Sequence, residues 1–469
     1  MSSKEPHELT ASEMSALFAS RDLSPVEVAE SCIGRIEALD AEINAFCHMD
    51  PHASLTMAEA SEARWLAGEP LSPLDGVPVA VKDLLVTKGW PTRRGSLTVD
   101  PNAYIGTDAP TVARLREAGA VLIGKTTTPE FGWKGSTDSP PTGVTRNPWN
   151  KAKTPGGSSG GSSAALAARF CPLALGTDGG GSIRIPASFT NTYGLKPSFG
   201  RVPAYPLSPF GTLAHVGPMS RTVLDSAMLM NVIAKPDPRD WYSLPYEPTD
   251  YAAGIDAPLT GKRIAFSPRL GFATRILPQI ETLVAAAAKR FEQLGAHVEL
   301  VDPPGGDPGA TFRTLWWSGA GILLGDYPDS EKAKLDPGLR RMAEEGVAIA
   351  KKDYLNANLA RGAYGSAMRQ FMAKYDFLLT PQLATTAFDV GRISPLDDDG
   401  NAWMAWTPFT TPFNLTQQPA ASVPCGFTSD GLPVGLQIVG RMFDDAGVLA
   451  ASYAYELADP HFDKTPEGY

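Results

Sequence analysis

Two glycine–serine runs constrain this chain more than any other feature. Residues 154–163 read TPGGSSGGSS, and residues 176–186 read GTDGGGSIRIP. A flexible linker of such composition would sit between unpatterned polar segments. Here the first run leads directly into the apolar, alanine-rich stretch 163–170, which predicts a helix, and the second follows Pro172–Leu175, which predicts a short strand. Bare backbone set between core elements predicts close approach of the main chain to something it serves.

In the second run Gly179, Gly180 and Gly181 precede Ser182. Backbone N–H groups from Gly179 to Ser182 can converge on one point and form a nest for a developing oxyanion. Ser182 would then be a nucleophile beside its own oxyanion hole; a tight structural turn is the alternative. Phosphate binding is the weaker reading. The stretch GAVLIGKT at 119–126 has the phosphate-loop spacing, but its middle reads as a strand and no helix follows.

A serine hydroxyl needs a base. Of the six histidines only His215 lies near the runs, and a loop or core position suits it better. GGSSG at 156–160 matches a nucleophile elbow around Ser158, yet the preceding Thr154-Pro155 reads as loop where an elbow needs a strand. A third stretch, GVPVAVKD at 76–83, alternates Val77, Val79 and Val81 as a strand and ends in Lys82-Asp83. A lysine among apolar residues has a lowered pKa and can serve as a base. On these residues alone, a surface lysine or an ion pair with Asp83 fits equally well.

The N-terminal helices read as scaffold. Ser24-Pro25-Val26-Glu27 is a helix start with a capping box, and apolar residues recur at helical spacing to Leu39. Helices are expected over 53–67, 111–118, 222–233, 276–294, 311–326, 337–374 and 447–456. Short strands are expected over 121–123, 194–202, 263–266, 297–301 (with Val298 and Leu300 facing inward), 377–380 and 432–440. Residues 235–260, with five prolines, read as an exposed excursion, and 385–412 as loop. Helices alternating with apolar strands predict an α/β fold, a mixed central sheet of many short strands covered by helices on both faces. The expected layout is an N-terminal helical segment (1–70), a core bearing the site (71–234), excursions and core strands walling a pocket (235–410), and C-terminal strands and helix (411–469), together one large domain.

A net charge of -10 without a basic stripe argues against a nucleic-acid partner. Four scattered cysteines without a CxxC pair read as free thiols in a reducing compartment, hence cytoplasmic. The opening MSSKEPHELT has no leader-like apolar stretch, and no run reaches membrane-span length. The histidines lack zinc spacing and the acids lack a calcium-loop pattern, so no metal and no cofactor are expected.

The three stretches together resemble the amidase signature family. So do TPGGSSGGSSAALAA at 154–168, LGTDGGGSIRIPAS at 175–188, GLKPSFGRVP at 194–203 and GLPVGLQIVGR at 431–441. The resemblance spans nearly the whole chain and is weakest over 235–410. It implies a Ser–cis-Ser–Lys triad with Ser182 as nucleophile, Ser158 as the cis serine after Gly157, and Lys82 as base. It further implies an oxyanion loop at Gly179, Gly180, Gly181 and Ser182. Thr177, Asp178 and Arg184 match supporting positions, and for Arg184 a structural salt bridge and a catalytic role are both open. Ser159 is suited either to cap the following helix or to donate toward Lys82. Thr190-Asn191 departs from the family pattern, but asparagine tolerates the left-handed backbone a turn there needs. The expected function is hydrolysis of a carboxylic acid amide by an acyl-enzyme, with a small-molecule amide and water as partners and a homodimer as the possible assembly. Rival readings are a carbamate, urea or ester hydrolase, the glutaminase subunit of a tRNA-dependent amidotransferase, and a non-catalytic binding protein. Trp133, Trp316, Trp317, Trp403, Trp406, Phe409 and Phe413 are candidates for an aryl or alkyl acyl pocket, with core packing as the alternative for each.

Overall fold

The apolar segments beside the two runs form the helix Gly160–Ala167 and a strand of the central sheet, Leu173–Asp178. The structure, a computed structural model, describes residues 4–395 and 404–469. Its strands are β1 (Phe46–His48), β2 (Pro78–Lys82), β3 (Val121–Thr126), β4 (Asp138–Ser139), β5 (Gly143–Val144), β6 (Leu173–Asp178), β7 (Tyr193–Lys196), β8 (His215–Ser220), β9 (Arg263–Phe266), β10 (His297–Leu300), β11 (Phe377–Pro381), β12 (Ala420–Phe427) and β13 (Pro433–Gly440). Eleven of them form one sheet in the order β1-β3-β2-β6-β8-β7-β12-β13-β11-β9-β10, and β4 and β5 pair separately. β2 runs parallel to both β3 and β6, while β8, β7, β12 and β13 pair antiparallel. This is an α/β fold with a large mixed sheet of short strands flanked by helices.

Local sequence explains much of it. Glu27 N–H donates to Ser24 Oγ at 3.2 Å and Ser24 N–H donates to the Glu27 carboxylate at 2.8 Å, the reciprocal cap that starts the helix Pro25–Ile43. The helix Pro278–Gln293 buries Ile280, Val284, Ala287 and Phe291 on one stripe. Val77 and all of β2, with Val79 and Val81, are buried, because the strand lies inside the sheet and both faces are covered.

Some elements depart from expectation. Leu300 is 74% exposed: β10 is an edge strand paired only with β9, so its second apolar residue has nothing to pack against. The excursion 235–260 is exposed over much of its length but returns Tyr251, Ile255 and Leu259 to the main core. β8 and β12 carry glycine or proline in place of a clean alternation, which hides them in the sequence. Asn191 adopts φ 59 at the end of the helix Arg184–Thr190, so the turn at that departure from the family pattern is kept.

Candidate active site

The site sits at the carboxyl ends of two parallel strands, the usual place for a site in an open α/β sheet. β2 and β6 pair with Val81 opposite Leu175, so Lys82 at the end of β2 emerges beside Thr177 and Asp178 at the end of β6. The first glycine–serine run passes over these ends. Residues 154–168 are all buried, which excludes a linker. The Gly157–Ser158 peptide bond is cis. A side chain on Gly157 would come within 2.6 Å of the Ser136 carbonyl oxygen, so only glycine lets the run lie this close to its neighbour. The runs are joined where Ser159 N–H donates to the Ser182 carbonyl at 3.0 Å.

Lys82 is fully buried, and its Nζ lies 2.7 Å from Ser158 Oγ, 2.9 Å from Ser159 Oγ and 2.8 Å from Thr177 Oγ1. All three partners are neutral hydroxyls. Burial pushes the amine's pKa well below that of an ordinary lysine, with Asp178 acting in the opposite direction. Asp83, the alternative partner considered from sequence, instead pairs with Lys125 at 3.0 Å. The Gly124-Lys125-Thr126 part of the formal phosphate-loop match is the end of β3, and Lys125 is spent on Asp83, Thr92 and loop carbonyls. Ser159 does not cap the helix Gly160–Ala167; its hydroxyl accepts the Thr177 N–H at 3.2 Å.

The second run is held by an ion pair. Arg184 Nε and Nη2 each donate to the Asp178 carboxylate at 2.9 Å, and neither side chain is exposed. Burial alone would raise the Asp178 carboxyl, but Arg184, Asn414 and Lys196 more than offset it and hold it well below the usual carboxylate range. The same carboxylate accepts the N–H groups of Gly181 at 2.8 Å and Ile183 at 3.2 Å. Gly181 has φ 119, a conformation glycine adopts without strain. Its N–H therefore serves the loop's own shape, and the N–H groups of Gly179, Gly180 and Ser182 have no hydrogen-bond partner among the described residues. Three residues that sequence reasoning missed complete the frame: Thr410 Oγ1 donates to the Gly180 carbonyl at 2.7 Å, and Asn414 and Gln437 oxygens accept from Arg184 at 2.6 and 2.7 Å. Gln437 had a signal, a lone amide inside the apolar run 431–441; Asn414 had none.

Ser158, Thr177, Gly179 and Ser182 line one cavity of about 220 Å³. Its other walls are largely apolar, from Leu84, Phe131, Phe210, Trp316 and Leu323. Trp316 stacks on Phe210 with ring centres 3.7 Å apart. Of the aromatics named from sequence that lie among the described residues, Trp316 is the one that lines this cavity. Trp133 packs beside Gly338, Trp317 donates to Glu345 at 2.9 Å, Trp406 stacks on Phe189, and Phe409 and Phe413 lie in the core with Leu378 and Val439. None of these five is among the residues lining this cavity, and each packs inside an apolar cluster, the alternative stated for it. Trp403 lies outside the described residues. His215 is buried in β8 and lines the cavity, with Nδ1 2.8 Å from the Leu213 carbonyl; burial pushes its pKa well below the ordinary value. No group of three His, Cys, Asp or Glu among the described residues could hold a metal ion. No helix among them is long and apolar enough to cross a membrane.

Comparison with known proteins agrees with this geometry. A family model described as amidase matches residues 27–449. The acylamidase of Rhodococcus erythropolis is 37% identical across 99% of this chain and 98% of its own length. A glutamyl-tRNA(Gln) amidotransferase chain of Chloroflexus aggregans is also 37% identical, across 99% of each chain. The crystal structure of a bacterial aryl acylamidase, an amidase signature enzyme, superposes with a TM-score of 0.91 at 32% identity, covering 98% of this chain and 99% of that one.

Proposed function

This chain belongs to the amidase signature family of serine hydrolases, and we propose that it cleaves a small carboxamide to the carboxylate and ammonia or an amine through an acyl-enzyme on Ser182. The observation that carries the proposal is the contact of a buried, carboxylate-free Lys82 amine with Ser158 Oγ at 2.7 Å. An amine so placed gives up its proton well below the range of an ordinary lysine and in its neutral form can act as a base. Neutral Lys82 takes the proton of Ser158, and Ser158 takes that of Ser182. Ser182 Oγ attacks the amide carbonyl, and the oxyanion is met by unpaired N–H groups of the 179–182 loop. Protonation of the leaving nitrogen through Ser158 lets the C–N bond break. Water then repeats the relay and releases the acid.

The apolar cavity walls favour aryl or alkyl acyl amides, and the Rhodococcus acylamidase and the solved aryl acylamidase support that choice. A second reading, the glutaminase subunit of a tRNA-dependent amidotransferase, is supported by the equal identity to the Chloroflexus amidotransferase chain. A hydrolysis screen of aryl amides, aliphatic amides, glutamine, carbamates and esters separates them. The proposal expects turnover of aryl or alkyl amides by the isolated chain, a burst of amine where deacylation is slow, and a covalent acyl adduct on Ser182. Hydrolysis of glutamine alone, and only with a second protein chain, would establish the rival.

A further inference from the structure

The cavity that holds Ser182 has one cationic wall residue among the described residues, Arg94. Its main chain is tied to the reacting centre. Phe131 N–H donates to the Arg94 carbonyl at 2.8 Å, and a methyl on the next residue, Gly132, would lie 3.1 Å from Ser158 Oγ. Arg94 is thus bonded to the segment whose bare Gly132 lies against Ser158.

Its backbone is held in place. Arg94 has φ 54 and Gly95 φ 65, and a side chain on Gly95 would come within 2.6 Å of the Thr128 carbonyl oxygen. A bulky residue in the left-handed region is uncommon and persists where the surroundings over-determine it. The half-buried guanidinium lies 5.4 Å from the Tyr104 ring centre. That contact orients the group without neutralising it. No carboxylate pairs with it among the described residues.

The other charged group at the cavity is already engaged. Asp240 accepts the Ala204 and Tyr242 N–H groups at 2.8 and 2.9 Å. The residues lining the cavity therefore include apolar walls, a satisfied carboxylate and Arg94, whose guanidinium lacks an anionic partner among the described residues. A guanidinium beside apolar surface pairs best with a planar anion, which it can bind through two parallel N–H bonds.

We infer that Arg94 selects amides that carry a carboxylate, on an aryl or alkyl frame that fills the apolar part of the cavity. The inference rests on the proposed amidase reading and narrows it. The carboxylate can sit on the acyl half or on the amine half, and the test distinguishes the two. Benzanilide is the neutral parent, 4-(phenylcarbamoyl)benzoate carries the charge on the acyl half, and 4-benzamidobenzoate carries it on the amine half.

The wild-type chain is expected to prefer one charged substrate over benzanilide by roughly 10- to 100-fold in kcat/KM, the scale of a hydrogen bond to a charged group. Arg94→Met should erase that ratio, chiefly through KM, and Arg94→Lys should keep part of it. A ratio near one in the wild type, or a ratio that survives Arg94→Met, overturns the inference. If the wild type hydrolyses none of the three, the aryl amide form of the amidase reading fails, and titration calorimetry decides on Arg94 separately. Ser182→Ala should then bind a charged compound more tightly than Ser182→Ala/Arg94→Met does, and equal affinity overturns the role of Arg94.

Discussion

Gly179 lies directly beneath Trp316: a methyl group on Gly179 would come within 2.6 Å of Trp316 Cζ3. Gly180 has the same relation to Phe312, at 2.8 Å. Both rings belong to the helix Gly309–Leu324, so this helix sets the height of the loop that carries Ser182. Gly179→Ala must push the loop or the indole aside. Overpacking of this kind costs about 1–3 kcal/mol, and a displaced oxyanion donor costs roughly 100-fold or more in kcat. Trp316→Leu should restore part of the loss in the double variant, since the two sites share one contact. Kinetics and thermal unfolding of the four proteins in the cycle measure this. Strictly additive effects would mean that the contact does not position the loop.

Among the described residues no carboxylate touches the Lys82 amine, which meets three hydroxyls, and Asp178 opposes the effect of burial only from a distance. With burial lowering its pKa, the amine is protonated and inactive at acid pH and becomes a base as pH rises. Activity should therefore climb with pH through a single limb lying well below the range of an ordinary lysine. Lys82→Arg keeps the charge but cannot deprotonate, so it should lose at least ~100-fold in kcat/KM, as should Lys82→Met. A flat acidic profile, or an active Lys82→Arg protein, would remove the lysine from the mechanism.

Much of this site was legible because its chemistry is written in runs. The glycines that let backbones touch and the serines between them stand together at 154–163 and 176–186, and Lys82 ends an alternating strand. The frame was not legible. Asn414 and Thr410 reach Arg184 and Gly180 from more than two hundred residues away, by contacts that no local pattern encodes. The aromatics misled for a similar reason. Trp406 and Phe413 have the composition of a pocket wall, but burial depends on which elements pack against them, here the helix of Phe189 and the strand of Leu378. Strands such as β8 were hidden because central position, not alternation, makes them strands.

Arg184 and Asp178 together hold the loop, so removing one leaves the other charged and buried. Arg184→Met strips Asp178 of its two guanidinium bonds while its carboxylate still accepts from Gly181 and Ile183. Breaking a buried pair from one side costs about 3–5 kcal/mol. The urea midpoint of Arg184→Met should fall accordingly, with kcat reduced because the 179–182 loop loses its anchor. An unchanged midpoint would show that the pair is not what fixes the loop.

Glu456 gives a stability test independent of the site. It is buried on the helix Asp445–Ala458 and accepts the Val223 N–H at 3.0 and 3.2 Å. Burial raises its pKa from 4.5 to about 8; the Val223 N–H opposes the rise and nearby Asp225 adds to it. The folded chain thus retains a proton that the unfolded chain has released, across the window from 4.5 to about 8. The contribution is full below pH 4.5 and is lost as pH rises through about 8. At about 1.4 kcal/mol per unit, the slope should amount to several kcal/mol over that window. Glu456→Gln keeps the shape, removes the titration and should flatten the fall in urea-unfolding free energy between those pH values. If the wild type and Glu456→Gln lose stability in parallel over the window, the buried carboxyl is not the group that titrates there.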